Sequence, residues 1–320
     1  MPLSLREYAE WLDERQLLWP AVPSVQSAKA NPYLEPLPEI RAVTWTIYGT
    51  LLSISDGELL LEHPQQIRMQ VALEKTIHEF NMWQSMTRRP GAPWEYMLGK
   101  YQEAVAELKM APSPRKGDLV EVNSAQVWRK LIRLLEQKDY DYDQSFYGTP
   151  EQLSEKVAFF FHRCLQGTRA APGAGEALAA VADLGLQQGL LSNAQPFTLA
   201  QMLRALEKQA TLPPLNQLFA PGCLILSFQE GVRKPSLSLY QRCLQQFQKL
   251  GIEPSQILHV GTRIQDDLAV AKRLGFRTAL YAGDKSSLRA TAAEVKDSLL
   301  QPDRLLTELG QIRQIVGGSR

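Results

Sequence analysis

Cysteine, net charge and long apolar runs are all scarce in this chain. The three cysteines, Cys164, Cys223 and Cys243, are odd in number and lack metal-ligand spacing. That argues against a disulfide-stapled scaffold or a zinc ribbon, and makes a reducing cytoplasm the expected setting. Lys plus Arg is 35 against 34 for Asp plus Glu, a formal net charge of +1. Proteins that live on a phosphate backbone carry a large basic surplus, so no nucleic-acid partner is expected. No apolar run reaches the roughly 18 residues of a spanning helix. The best candidate, Leu218 to Phe228, is broken by Pro221 and Gly222, so no membrane association is expected. The opening MPLSLREYAEWLDERQ carries charges at once, with no apolar core or small-residue cleavage site, and is not read as a secretory leader. What is present, 44% apolar and 22% charged residues, excludes a disordered, collagenous or rod-like chain.

Residues 3–19 place Tyr8, Trp11, Leu12 and Leu18 near one helical stripe. Pro20, Pro23, Pro32, Pro36 and Pro38 follow. Proline fixes φ and turns its predecessor away from helix, so 20–38 is expected to be an extended arm wrapped on the body. Residues 41–47, RAVTWTI, read as a buried strand. From about 62 to 166 the pattern is helical, with Met69, Leu73, Ile77 and Phe80 on one face and further helices over 93–110, 123–138 and 150–166. After 172 one grammar repeats three times, in ADLGLQQGLLSN (182–193), QKLGIEPSQILHVG (248–261) and KRLGFRTALYAG (272–283). Each is a helix closed by Leu-Gly and then a short β-rich run, which implies βαβ units and a parallel sheet. The expected fold is thus α/β, with a helical block inserted after the first strand. Residues 1–38 form an arm, 39–55 and 170–320 the core, and 56–169 the helical block. Leu299 to Ile315 is expected to close the chain as a helix on the sheet.

Open parallel sheets bind ligands beyond the carboxyl ends of their strands. The residues there are Thr46-Ile47-Tyr48-Gly49-Thr50, Ser192-Asn193, Lys234-Pro235 and the stretch Gly261 to Asp267. This set resembles the haloacid dehalogenase superfamily of phosphatases and dehalogenases. AVTWTIYGTLL (42–52) is similar to its first motif, Asp-x-Asp-Gly-Thr-Leu after an apolar strand. GLLSN (189–193) is similar to the second, GVRKP (231–235) to the third, and HVGTRIQDDLAVAKRLG (259–275) to the fourth. The resemblance spans about residues 40–285 and implies a Rossmann-like parallel sheet with a helical cap of the C1 type.

The acids that the resemblance calls for are missing. Thr46 stands at the nucleophile position, Tyr48 at that of the acid/base, and Thr262 at that of a metal ligand. Only Asp267, or its neighbour Asp266, remains for a metal. A threonine hydroxyl needs a base, and a phenol with a pKa of about 10 is no base at neutral pH. Mg²⁺ is built on carboxylate, phosphate and water oxygens, so no cofactor is expected. Thr50, Ser192, Asn193 and Lys234 are expected to survive as a phosphate cradle for a small phosphorylated or anionic ligand. The expectation is a catalytically impaired hydrolase-like protein. The alternatives are an active phosphohydrolase using Mg²⁺ and an unusual nucleophile, and a protein-interaction scaffold.

Other signals carry less. DYDYD (139–143) lacks the glycine and glutamate of a calcium loop and reads as solvated. His259, inside a strand pattern, is expected to be a hydrogen-bonded core residue. Arg88 and Arg89, near Trp83 and Trp94, read as a surface pair, with an anion contact on the cap face as the alternative.

Overall fold

A computed structural model of the chain describes residues 1–86, 91–113 and 115–317. Arg88 and Arg89 lie outside the described residues. Ten strands are present among them: β1 (Ala42–Trp45), β2 (Leu52–Ile54), β3 (Leu119–Val120), β4 (Thr168–Ala170), β5 (Gln187–Ser192), β6 (Leu224–Leu226), β7 (Val232–Arg233), β8 (Ile257–Gly261), β9 (Arg277–Tyr281) and β10 (Arg304–Leu306). Six of them form the central sheet in the order β10-β9-β8-β1-β5-β6, and every neighbouring pair is parallel. Strands covered on both faces need side chains that tolerate burial all along their length, and β1 and β8 are buried throughout. The repeated Leu-Gly pairs close the helices that cross between strands. Gly275, for example, has φ +88°, a conformation glycine adopts without cost.

Polar residues within this sheet are paired. Thr44 faces His259 across the β1–β8 register, and its hydroxyl lies 2.8 Å from Nδ1 of that ring. The Trp45 indole donates to Gln188 at 3.0 Å.

Helix α1 (Leu5–Glu14) precedes the sheet. Between β2 and β4 come α2 (Gln66–Glu79), α3 (Pro93–Lys109), α4 (Ser124–Glu136), α5 (Gln144–Tyr147) and α6 (Pro150–Leu165). Their starts are written in local chemistry. Asn123 caps α4 through the Ala125 and Gln126 amides, and Thr149 with Gln152 forms a capping box with Pro150 at the first turn of α6. The helical layer has its own core around Tyr101, Trp128 and Phe161. Antiparallel pairing of β2 with β4 closes its base. A second ribbon pairs β3 of this layer with β7 of the core. The helix following β5 is α8 (Thr198–Leu206), and α7 (Ala174–Asp183) precedes that strand.

Two expectations are corrected. The first helix ends at Glu14 rather than 19. Gln16 takes a left-handed φ of 51°, which turns the chain off the stripe and leaves Leu18 84% exposed. The stretch from Leu299 to Ile315 is not one helix. Arg304–Leu306 is β10, paired with β9, and only Ile312–Val316 is α-helical. The apolar pair Leu305-Leu306 suits a buried strand as well as a helix, and the open edge of β9 decides between them. No helix among the described residues is long and apolar enough to cross a membrane.

The arm over 20–38 is held by backbone bonds. Ala28 N donates to Ala282 O at 2.9 Å, Tyr33 exchanges bonds with Leu305, and Leu37 N donates to Ile315 O at 2.7 Å. Upstream, α1 buries Tyr8 and Leu12 in the core of the helical layer. Its Asp13 accepts from Arg163 of α6 and, at 2.9 Å, from Arg204 of α8. One carboxylate thus joins the helical layer to the sheet layer. These groups are partly exposed, so Asp13→Ala is expected to cost about 1 kcal/mol or less. Its larger effect should be local, as faster amide exchange over 150–165 in hydrogen–deuterium exchange. Unchanged exchange there would show that the bridge holds nothing.

Candidate functional site

The carboxyl ends of β1, β5 and β8 open into a cleft of about 710 Å³ beneath the helical layer. Thr46, Tyr48, Asn193, Arg233, Lys234, Asp266 and Asp267 line it from the core, and Lys109 and Asp118 from the layer above. The chain after β8 winds through a single wide turn over Ile264–Leu268. That turn settles which of two adjacent acids faces the site. Asp267 is turned inward and 1% exposed, whereas Asp266 is exposed at the cleft. Gly261 permits this approach, since a Cβ there would collide with the Asp267 carboxylate.

Four side chains converge on Asp267. Its Oδ1 accepts from Lys234 Nζ at 2.6 Å, from the Tyr240 hydroxyl at 2.9 Å and from His259 Nε2 at 2.7 Å. Its Oδ2 accepts from the Thr46 hydroxyl at 2.8 Å. Lys234 also donates to Thr46 Oγ1 at 2.8 Å. Burial alone would raise the Asp267 carboxyl, but the charge of Lys234, helped by the hydrogen bonds, holds it well below the usual carboxylate range. Burial lowers the Lys234 ammonium, and the Asp267 charge opposes that. Burial also lowers the His259 imidazole, so the neutral ring accepts from Thr44 at Nδ1 and donates from Nε2 to Asp267.

The other expected site residues are placed as follows. The Tyr48 ring lines the cleft, but its hydroxyl points to α8, donating to Gln201 Oε1 at 2.8 Å and lying 3.1 Å from Thr198 Oγ1. Burial pushes this phenol above its ordinary value, so it stays protonated. Ser192 Oγ accepts from Ile47 N at 3.0 Å and donates to Asn193 O at 2.9 Å. Asn193 Oδ1 accepts from Lys234 N at 2.8 Å, and the residue lines the cleft. Thr50 and Thr262 are buried and are not among the cleft-lining residues. Thr50 is held in the tight turn after β1, its amide bonded to Ile47 O at 3.2 Å, and its hydroxyl is buried with no hydrogen-bond partner among the described residues.

His259 is the hydrogen-bonded core residue it is expected to be, fully buried and bonded to Thr44 and Asp267, and its Nε2 also joins the site. Two further residues of the site escaped the sequence reading. Tyr240 reaches Asp267 from the helix Leu237–Gln248, and no motif marks it. Arg233 stands beside the lysine of GVRKP and lines the cleft. The one usable signal was an imidazole set among the apolar residues of β8.

A parallel sheet with a cleft at its strand ends, roofed by a helical insertion after the first strand, defines a capped α/β class. A model of haloacid dehalogenase-like hydrolases matches residues 40–275, and the chain belongs to that family. It is 25% identical over 132 residues to the glyceraldehyde 3-phosphate phosphatase of Pyrococcus abyssi, a match covering 41% of this chain and 50% of that one. It is 24% identical over 183 residues to the enzyme of the same name from Pyrococcus furiosus, covering 57% and 67%. The chain thus spans half the length of the first of these relatives. The 2-haloacid dehalogenase of Pseudomonas syringae superposes with a TM-score of 0.52 at 19% identity, covering 86% of this chain and 97% of that one, which shows the shared fold.

Removing one partner from a buried ion pair costs about 3–5 kcal/mol, because the other charge is left unpaired. Asp267→Asn is expected to lose an amount of this order in urea unfolding, with part recovered in the double variant Asp267→Asn/Lys234→Met. The pH dependence has a definite sign. The folded carboxyl titrates below its ordinary 3.8, so the unfolded chain takes up the proton first. Its stabilisation is complete above that value and drains away as pH falls below it. The single variant should flatten the stability curve between about pH 5 and 2; a curve parallel to wild type would refute the role of this pair.

Proposed function

We propose that this member of the haloacid dehalogenase-like hydrolases has lost Mg²⁺-dependent phosphohydrolase chemistry and uses its cleft to hold a small anionic ligand. The observation that carries this reading is the Asp267 carboxylate, both oxygens of which already accept from side chains of the chain itself. Mg²⁺ demands oxygen ligands with free lone pairs in octahedral array. The oxygens of Asp267 already accept four hydrogen bonds, and threonines occupy positions 46 and 262. No group of three or more His, Cys, Asp or Glu among the described residues is arranged to hold a metal ion. The residues present do not suit the ion. The relatives named as glyceraldehyde 3-phosphate phosphatases point to a small phosphate ester as the ligand class. A cytoplasmic setting agrees with three buried free thiols.

One observation favours a second reading, an active enzyme with an unusual nucleophile. The Thr46 hydroxyl donates to Asp267 and accepts from Lys234, both at 2.8 Å, as an activated nucleophile would. The weakness of that reading is the base. A carboxylate held well below its ordinary range takes a proton from a hydroxyl poorly, and the Tyr48 phenol faces α8.

The two readings part in an assay of phosphate release from a panel of phosphomonoesters with and without Mg²⁺. Release is expected at the buffer rate. Turnover above about 0.1 s⁻¹, a tenth of the low end for ordinary enzymes, would overturn the proposal. The triple variant Thr46→Asp/Tyr48→Asp/Thr262→Asp is expected to gain Mg²⁺ binding at millimolar concentration by isothermal titration, and Thr46→Asp alone is not, because groups that act as a unit are strongly non-additive. A folded triple variant that binds no Mg²⁺ would show that these positions do not correspond to the family's acids.

A further inference from the structure

We propose that this chain pairs with a second copy of itself through an apolar groove between its N-terminal arm and α2, the Leu18 side chain of each copy entering the groove of the other. The inference is independent of what the cleft binds.

Four large apolar side chains stand exposed on one patch. Leu18 is 84% exposed, Val22 61%, Ile67 60% and Val71 40%. All four line one groove of about 570 Å³, and none belongs to an apolar core of the chain. Exposed apolar residues scattered singly are ordinary, whereas a contiguous patch marks a contact surface. Ile67 and Val71 lie four residues apart on α2, so they form a ridge along one of its faces. Leu18 and Val22 form a second ridge from the arm. The buried Cys164 and Leu165 line the groove from the end of α6.

The arm is fixed where it presents Leu18. The Trp19 ring meets Phe160 edge-on at 5.5 Å, and the Arg163 guanidinium lies 4.0 Å over the same indole. Lys75 of α2 donates to the Leu18 carbonyl. The backbone of Leu18 is thus tied to α2 and α6, while the left-handed turn at Gln16 keeps its side chain outward. A group already ordered in its exposed position loses little freedom on association.

The surface itself commits the groove to a second copy. Twofold pairing needs a patch complementary to itself. Here a protruding leucine stands between two hollows, since Leu18 also lines a neighbouring groove of about 600 Å³. Charge agrees with this choice. Arg68 pairs with Asp56 at 3.3 Å, Arg15 pairs with Glu79, and Lys75 is engaged by the Leu18 carbonyl. The cations around the patch are spent inside the chain, so an acidic peptide or an anionic membrane would find little counter-charge, and two copies can meet without strong repulsion. Size agrees as well. The arm from Arg15 to Pro23 lines the two grooves in turn. It reaches at most about 30 Å, the breadth of the roughly 800 Å² that each partner of a stable dimer buries. This arm precedes residue 40, where the family match begins, so the contact uses a segment outside the matched region.

The test is sedimentation equilibrium of the full chain between about 1 and 100 µM, where a dimer with a dissociation constant below about 10 µM is expected. Leu18→Glu and Val71→Glu should each weaken it about 100-fold or more, because a carboxylate would be buried without a partner. Leu299→Glu, at an equally exposed leucine that does not line the groove, should leave it unchanged. Melting curves on each variant establish that it is folded. The pairing itself is read by cross-linking. All three native thiols are buried, so chains with Leu18→Cys are mixed with chains with Ile67→Cys and oxidised by copper phenanthroline. The mixture is expected to give more covalent dimer than either variant alone. A chain that stays monomeric at about 100 µM overturns the proposal in favour of a different protein as the occupant. A dimer that survives both glutamate variants overturns it by placing the contact elsewhere. A dimer that both variants abolish, but that gives no excess of mixed cross-link, overturns the seating of Leu18 in the partner's groove.

Discussion

The buried carboxylate of Asp267 ties together side chains from four places in the fold. Thr46 follows β1, Lys234 follows β7, Tyr240 belongs to the helix beyond it, and His259 lies within β8. Taking a carboxylate and an ammonium out of water is costly, and their attraction repays the cost only when the remaining valences are also met. Here they are met, with three donors on one oxygen and one on the other. The carboxylate is therefore a structural centre before it is anything else. Three of its four bonds fall on Oδ1 and one on Oδ2, so the carboxylate is held in one orientation from several sides.

The cleft beside this centre owes its shape to a helical layer attached at several points. The β2–β4 ribbon closes its base, and the β3–β7 ribbon sets one side of it against the very strand that carries Arg233. On the far side, α1 packs Tyr8 and Leu12 into the layer while Asp13 reaches Arg204 of the core. A layer pinned in this way presents Lys109 and Asp118 to the cleft at fixed positions. That is the geometry of a preformed pocket, in which ordering costs little on binding.

The legible part of this molecule was the part written in strand ends. The first strand and the three helix–Leu-Gly–strand units fix where the chain leaves the sheet, and so which residues gather at the cleft. The illegible part depended on turns and on tertiary pairing. Asp266 and Asp267 are adjacent, and only the wide turn over Ile264–Leu268 decides that Asp267 goes in. Thr50 reads as a donor in sequence, yet the turn after β1 buries it. Tyr240 is an ordinary apolar position on an amphipathic helix until the fold places its hydroxyl 2.9 Å from Asp267. Leu305 and Leu306 fit a helix or a strand alike, and the unpaired edge of β9 chooses. Arg233 stands beside the lysine of the third motif, but that its side chain lines the cleft is a property that exists only in three dimensions.

Position 46 shows how a hydroxyl fits the charge pairing around it. The Thr46 hydroxyl gives a proton to Asp267 and receives one from Lys234, and a hydroxyl can do both at once. An ionised aspartate at 46 could only accept. It would place a second carboxylate against Asp267 with one ammonium between them, and like charges so close cannot both stay ionised without a cation to share. A divalent ion resolves that conflict, but only with further oxygens to complete its shell, which threonine at 262 does not supply as a carboxylate would. The hydroxyl at 46 thus bridges one lysine and one aspartate, accepting from the first and donating to the second.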